Sequence, residues 1–159
     1  MQLLHRAAKF TSHKKDLRSI YLTFIRSILE QSSVVWHSSL SVKNRKDLER
    51  VQKSAVKVIL GSRYSNYKQG LRMLNLETLA RRRQKLSLKF AQKCLKNEKV
   101  KDFFPLTDSK HKMRKRNPKK YKELRTNTKR YQKSALPYMT KLLNKNEESK
   151  RNILNHDVG

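Results

Sequence analysis

One stretch constrains the fold more than any other: residues 48–61, LERVQKSAVKVILG. Leu48, Val51, Ala55, Val58 and Ile59 recur at helical spacing and form one apolar stripe. Lys46, Arg50, Lys53 and Lys57 recur at the same period. At about 100° per residue, their mean direction lies roughly 160° from the apolar stripe. The pattern predicts a helix that buries one side and points a row of cations outward. Gly61 follows the last apolar residues, where a helix ends in the left-handed conformation that glycine tolerates.

The charge of the whole chain agrees with that outward row. Lys and Arg number 40 against 12 Asp and Glu, a net charge of +28 on 159 residues. Self-repulsion on that scale opposes compaction. It implies a polyanionic partner: nucleic acid first, with an acidic membrane surface as the rival. Hydrophobic residues are 36% of the chain, below the usual globular share, so the core is expected over part of the length only. Cys94 is the one cysteine, which excludes an internal disulfide framework and fits a reducing compartment. The five histidines are scattered, with no zinc-ligand spacing. No run of about 18 apolar residues exists to span a membrane. MQLLHRAAKF is too short and too interrupted for a secretory signal, although basic residues without acids also suit a transit segment. The expected location is nuclear or cytoplasmic, not secreted.

In chain order, residues 1–13 read as a basic, slightly apolar lead-in. The first strong helix is expected over residues 14–31. Leu17, Ile20, Tyr21, Phe24, Ile25, Ile28 and Leu29 form its core face. Arg26 and Glu30 are an i, i+4 pair on its flank. SSVVWHSSLS reads as a turn or short helical extension that packs Trp36 into the core, with base stacking as the alternative. Ser39 or Ser41 caps a helix over residues 42–60. SRYSNYKQG is loop-like, and Leu71, Leu74 and Leu76 mark a short helix and turn. A fourth helix is expected over residues 76–97, with Leu79, Leu86, Phe90 and Cys94 on one side. Arg82, Lys85, Lys89, Lys93 and Lys96 form a basic stripe beside it. Arg83 falls inside the apolar side. It either snorkels to water or forms a fixed ion pair, with Glu49 and Glu30 as the candidates.

After VKDFFPL the composition changes. Residues 109–133 hold 12 Lys or Arg and one acid, Glu123. Large aliphatics are nearly absent, so this segment is not expected to order itself alone. Tyr121 and Tyr131 among the cations suit backbone contact with base stacking; a solvated tail or import signal around KHKMRKR is the alternative. LPYMTKLL, residues 136–143, reads as a short docking helix before a polar, frayed end. No strand-period segment or internal repeat is present.

The chemistry of most enzymes is missing. Three glycines, Gly61, Gly70 and Gly159, allow no Gly-rich phosphate loop or dinucleotide fingerprint. Asp47 and Glu49 face different ways on a helix, and Glu147 and Glu148 lie in the polar end, so neither pair suits a two-metal site. Cys94 has no histidine beside it in the sequence and reads as packing. The chain is not expected to be an enzyme on its own; catalytic residues, metal ligands, cofactor and small-molecule substrate are all read as none.

Four stretches in order resemble one family: DLRSIYLTFIRSILEQSSVVW, LERVQKSAVKVILG, YKQGLRMLNLETLARRRQKLSLKFAQK and RTNTKRYQKSALPYMTKLLN. Together they are similar to the thumb and post-thumb region of reverse transcriptases from non-LTR retrotransposons of the jockey-like type, over about residues 1–144. That family copies RNA into DNA at a nicked target. Its paired palm aspartates have no counterpart here, since the sequence contains no adjacent Asp pair. The resemblance implies a palm-less fragment whose thumb grips a template–primer duplex, with a separate palm domain as a possible partner.

Together these readings predict an all-α fold: a small bundle of about four helices with a basic, partly disordered C-terminal extension. Residues 1–106 would be the thumb-like bundle, 107–135 a basic linker, and 136–159 the docking helix and frayed end. The expected function is non-sequence-specific binding of RNA or DNA duplex. Expected contacts are Lys46, Arg50, Lys53, Lys57, Arg82, Lys85, Lys89, Arg114, Lys115, Arg116, Lys119 and Lys120. The rival function is a basic structural protein of a ribonucleoprotein such as a ribosomal subunit.

Overall fold

The computed structural model describes residues 1–11, 13–107 and 119–156, with side chains to residue 153. Within them the fold is all-α. The helices are α1 Gln2–Phe10, α2 Lys14–Ile20, α3 Ser27–Glu30, α4 Ser33–Trp36, α5 Val42–Leu60, α6 Tyr67–Met73, α7 Leu79–Leu95, α8 Lys129–Gln132 and α9 Ala135–His156. A π-helical segment, Tyr21–Arg26, joins α2 to α3 without a break. The bundle of about four is therefore corrected to a larger set of helices. The extra ones come from short segments at 2–10, 33–36 and 129–132, and from a long C-terminal helix.

The described chain forms two compact units. The first holds Met1–Ser33 and Leu40–Gln84; the second holds Val34–Ser39 and the chain from Lys85 onward. The division falls inside α7. In the first unit, Leu4, Leu17 and Tyr21 pack with Ala55, Val56, Ile59 and Leu60 of α5, and with Leu71, Leu74 and Leu76. The α5 helix has the bounds its sequence predicts. Ser41 Oγ accepts a hydrogen bond from the Asn44 N–H at 3.1 Å, satisfying one of the open donors of the first turn. Gly61 closes it at φ 55°, ψ −127°. That is the mirror-β region rather than the left-handed helical one, and equally a place that glycine reaches easily. Gly70 lets α6 lie close on α5. A methyl group there would stand 2.6 Å from Val56 Cγ1, a clash the stiff, branched valine absorbs poorly.

The predicted face of the first long helix is corrected beyond Tyr21. Leu17 and Tyr21 are buried, but Phe24 is 55% and Ile28 70% exposed. The π-helical turn explains the change. Its i→i+5 bonding widens the turn, so each residue advances less than the roughly 100° of an α-helix. Phe24 is left off the core side, while Ile25 packs against it.

A polar network runs through the same unit. The Tyr21 hydroxyl donates to Gln52 Oε1 at 2.8 Å, and Gln52 Nε2 donates to the Glu77 carbonyl at 2.8 Å. The Tyr67 hydroxyl donates to Glu49 Oε1 at 2.5 Å.

The second unit has its own core of Ala91, Phe104, Tyr121, Met139 and Leu143, with Cys94 and Leu95 packed against it. Trp36 is half-buried on α4. Two expectations are corrected here. Tyr121, expected to stack on bases, is 7% exposed. Its N–H donates to Asn144 Oδ1 at 2.9 Å, and its carbonyl accepts from Asn144 Nδ2 at 3.0 Å. One amide thus satisfies both backbone groups of an otherwise irregular segment. The Thr107 N–H donates to the Lys120 carbonyl, and the Lys122 N–H to the Pro105 carbonyl. These bonds give the one isolated β-bridge among the described residues, Leu106 with Tyr121. Part of the expected linker is therefore built into a core. The short docking helix is also corrected: α9 runs on to His156. Its polar end is rich in Lys, Glu, Arg and Asn and supports helix through near-neighbour charge pairs such as Glu147–Lys150.

Leu79 is fully buried, so Leu79→Ala should cost ~2–5 kcal/mol. Phe24→Ala should stay within about 0.5 kcal/mol, because its face is open to water. Chemical denaturation followed by circular dichroism compares the two; a loss above about 1 kcal/mol for Phe24→Ala would contradict the exposed face.

Burial raises the pKa of both Tyr21 and Tyr67 above the ordinary 10.0, and the hydrogen bond to Glu49 raises Tyr67 further. Above about pH 10 the unfolded chain therefore releases protons that the folded chain keeps, so stability falls as pH rises. Lysine titration in the same range is common to the wild type and Tyr67→Phe and cancels in their difference. The variant should lose part of the fall between about pH 9 and 11. Parallel midpoint-versus-pH curves for the two proteins would contradict a buried, proton-holding Tyr67.

Candidate nucleic-acid interface

The α5 helix presents the clearest basic surface. Its buried residues are Gln52, Ala55, Val56, Ile59 and Leu60. Lys46, Arg50, Lys53 and Lys57 are all exposed. At about 1.5 Å per residue, the row from Lys46 to Lys57 spans about 16 Å. That is the axial rise of about five phosphates along one DNA strand. Two of these cations have neighbours that orient them. Arg50 Nη1 lies 2.8 Å from Asp47 Oδ1, a solvent-exposed pair worth ~0–1 kcal/mol, which a phosphate can displace. Lys57 Nζ lies 5.5 Å from the centroid of the Tyr64 ring, close enough for a cation–π attraction.

Arg82 is placed differently from that row. Its Nε donates to Glu30 Oε1 at 2.5 Å, and Arg26 Nε lies 3.8 Å from the same oxygen. Glu30 is 12% exposed at its side chain, so this carboxylate holds two guanidinium groups in a largely dry site. Arg83 is fully buried, and the snorkelling alternative is corrected. Burial pushes its pKa down, and the charges of Glu49 and then Glu30 oppose that shift. These are the two carboxylates its sequence position suggests. Glu49 also accepts from the Leu79 N–H at 3.3 Å, which ties the first turn of α7 to α5.

The remaining cations belong to the second unit. Lys85 and Lys89 are exposed on α7. Lys119 Nζ pairs with Glu123 at 2.8 Å, and Lys120 Nζ with Glu147 at 3.0 Å. The contact with Glu147 raises the Lys120 pKa; the same contact, reinforced by Lys150, lowers that of Glu147. Arg114, Lys115, Arg116 and the KHKMRKR stretch lie outside the described residues. Lys89 opens onto a groove of about 530 Å³ whose other cations are Lys93, Lys96 and Lys150. The part played by Lys150 is absent from the sequence reading, which ends the last helix too early. The available signal is the helical spacing of Leu143, Asn146, Glu147 and Lys150.

No cluster of three metal-ligating side chains exists among the described residues. No helix in them is long and apolar enough to cross a membrane. No family model, no curated protein and no solved structure matches the chain.

Arg82→Gln should destabilise the first unit by roughly 1.5–3 kcal/mol, because it removes a charge-assisted hydrogen bond from a mostly buried carboxylate. Lys46→Gln, on the exposed row, should stay within about 0.5 kcal/mol. Equal denaturation midpoints for the two variants would contradict a structural Arg82.

Proposed function

We propose that this chain is a nucleic-acid-binding fragment of a retrotransposon RNA-directed DNA polymerase, the thumb and post-thumb part without the catalytic palm. The observation that carries the binding reading is α5. Its buried face fixes the helix, and its opposite face holds four exposed cations in a row. The retroelement reading rests on the four ordered stretches of sequence and on the lack of paired aspartates. The α5 row suits a duplex backbone and carries no means of reading base edges. Binding is therefore to phosphates, independent of sequence and steeply dependent on salt. A palm supplied by a separate chain or segment would provide any polymerase chemistry.

Fluorescence anisotropy with a labelled DNA duplex at several salt concentrations tests the site. Each phosphate contact contributes about −0.9 to the slope of log affinity against log salt. Arg50→Gln with Lys53→Gln keeps helix propensity and the buried face. The double variant should flatten the slope by about two units and weaken binding alike on all sequences. Arg114, Lys115 and Arg116 changed together to Gln should leave an appreciable duplex affinity. If the triple variant instead abolishes binding while the α5 variant matches wild type, the interface lies outside α5 and the proposal fails.

A further inference from the structure

The groove in the second unit is a site distinct from the α5 row. One wall is α7, where Lys89, Lys93 and Lys96 recur at i, i+4 and i+7 and so share a face. The other is α9, with Asn146, Glu147 and Lys150. Leu95, Leu143 and Tyr121 also line it. Four lysines thus surround a single carboxylate, and that carboxylate is already engaged: Lys120 holds Oε2 at 3.0 Å and Lys150 holds Oε1 at 3.2 Å. A second concavity of about 290 Å³ has cations too, but Glu123 and Glu148 line it among them. The larger groove is the more electropositive of the two.

We propose that this groove binds the sugar–phosphate backbone of a single nucleic-acid strand. Its volume lies in the range of ligand-sized pockets. Lysines stand on both walls, so one strand lying in it meets cations from two sides. A duplex is too bulky to enter and can touch only the rim. The one aromatic in the lining, Tyr121, is buried, so there is no exposed platform on which bases stack. Recognition is therefore of phosphates rather than bases. Glu147 limits the site by drawing Lys120 and Lys150 to itself. The inference takes the chemical class of its ligand from the nucleic-acid reading above, but it does not depend on the α5 row.

The test uses the full chain and a labelled oligothymidylate of about 12 nucleotides. Lys93 and Lys96 are exposed, so Lys93→Gln with Lys96→Gln preserves the helix, as circular dichroism would verify. At about −0.7 per contact on single strands, the double variant should flatten the salt slope by about 1.4. Glu147→Gln should tighten binding and steepen the slope by about 0.7, one contact regained. Glu98→Gln makes the same charge change at a site 92% exposed and outside the groove, and should leave the strand affinity near wild type. An unchanged slope in the lysine variant overturns the proposal, as do equal gains from Glu147→Gln and Glu98→Gln. Displacement of the strand by tripolyphosphate at equal phosphate concentration also overturns it, because the groove would then be a site for free polyphosphate. The Arg50/Lys53 variant should bind the oligothymidylate normally. Its failure on duplex is read separately, so loss of the α5 reading and loss of this one cannot be confused.

Discussion

The first unit depends on a buried cation. Arg83 sits on the apolar side of α7 with no exposed surface, and the charges of Glu49 on α5 and Glu30 on α3 offset the cost of its burial. Glu30 also holds Arg82 and Arg26, and Glu49 also holds Tyr67 and the start of α7. Such groups add little net stability, because desolvation consumes much of the attraction. Their effect is geometric. Apolar side chains pack in several registers, but two carboxylates that must meet three guanidinium groups allow few. The rotation of α5 about its axis is fixed from its buried side, and the outward direction of Lys46, Arg50, Lys53 and Lys57 follows from it.

Much of this was legible in the sequence where one element had one period. The α5 helix keeps its predicted bounds because its cap, its apolar stripe and its closing glycine agree. Glu49 and Glu30 were legible as partners for Arg83 because a charge inside an apolar stripe needs compensation. Phe24 and Ile28 were misplaced because periodicity assumes an α-helical pitch, and the π turn departs from it. Arg82 looked like its neighbours on the basic stripe, yet Glu30, 52 positions away in sequence, is what commits it to the fold.

The second unit was harder to read because its core is assembled from fragments. Tyr121 lies among cations, and composition alone gives such a segment nothing to pack on. The Asn144 amide supplies what composition does not show: a donor and an acceptor at the spacing of a backbone pair. With that clamp in place, α9 supplies Met139 and Leu143 to the core and carries Lys150 toward the α7 lysines. The groove is thus a product of tertiary structure, whereas the α5 row is a product of local pattern.

The π turn at Tyr21–Arg26 has a consequence for how this chain tolerates change in length. A π turn holds more chain than an α-helical turn of the same helix. Removing one residue from it would let the helix close into a regular α-helix and rotate everything beyond by about 100°. Glu30 would swing away from Arg82 and Arg83, although every residue type in the unit were kept. Substitution at Phe24 is cheap; deletion beside it would be ruinous. The electrostatic anchor of the first unit is therefore set as much by how many residues lie between Leu17 and Glu30 as by which residues they are.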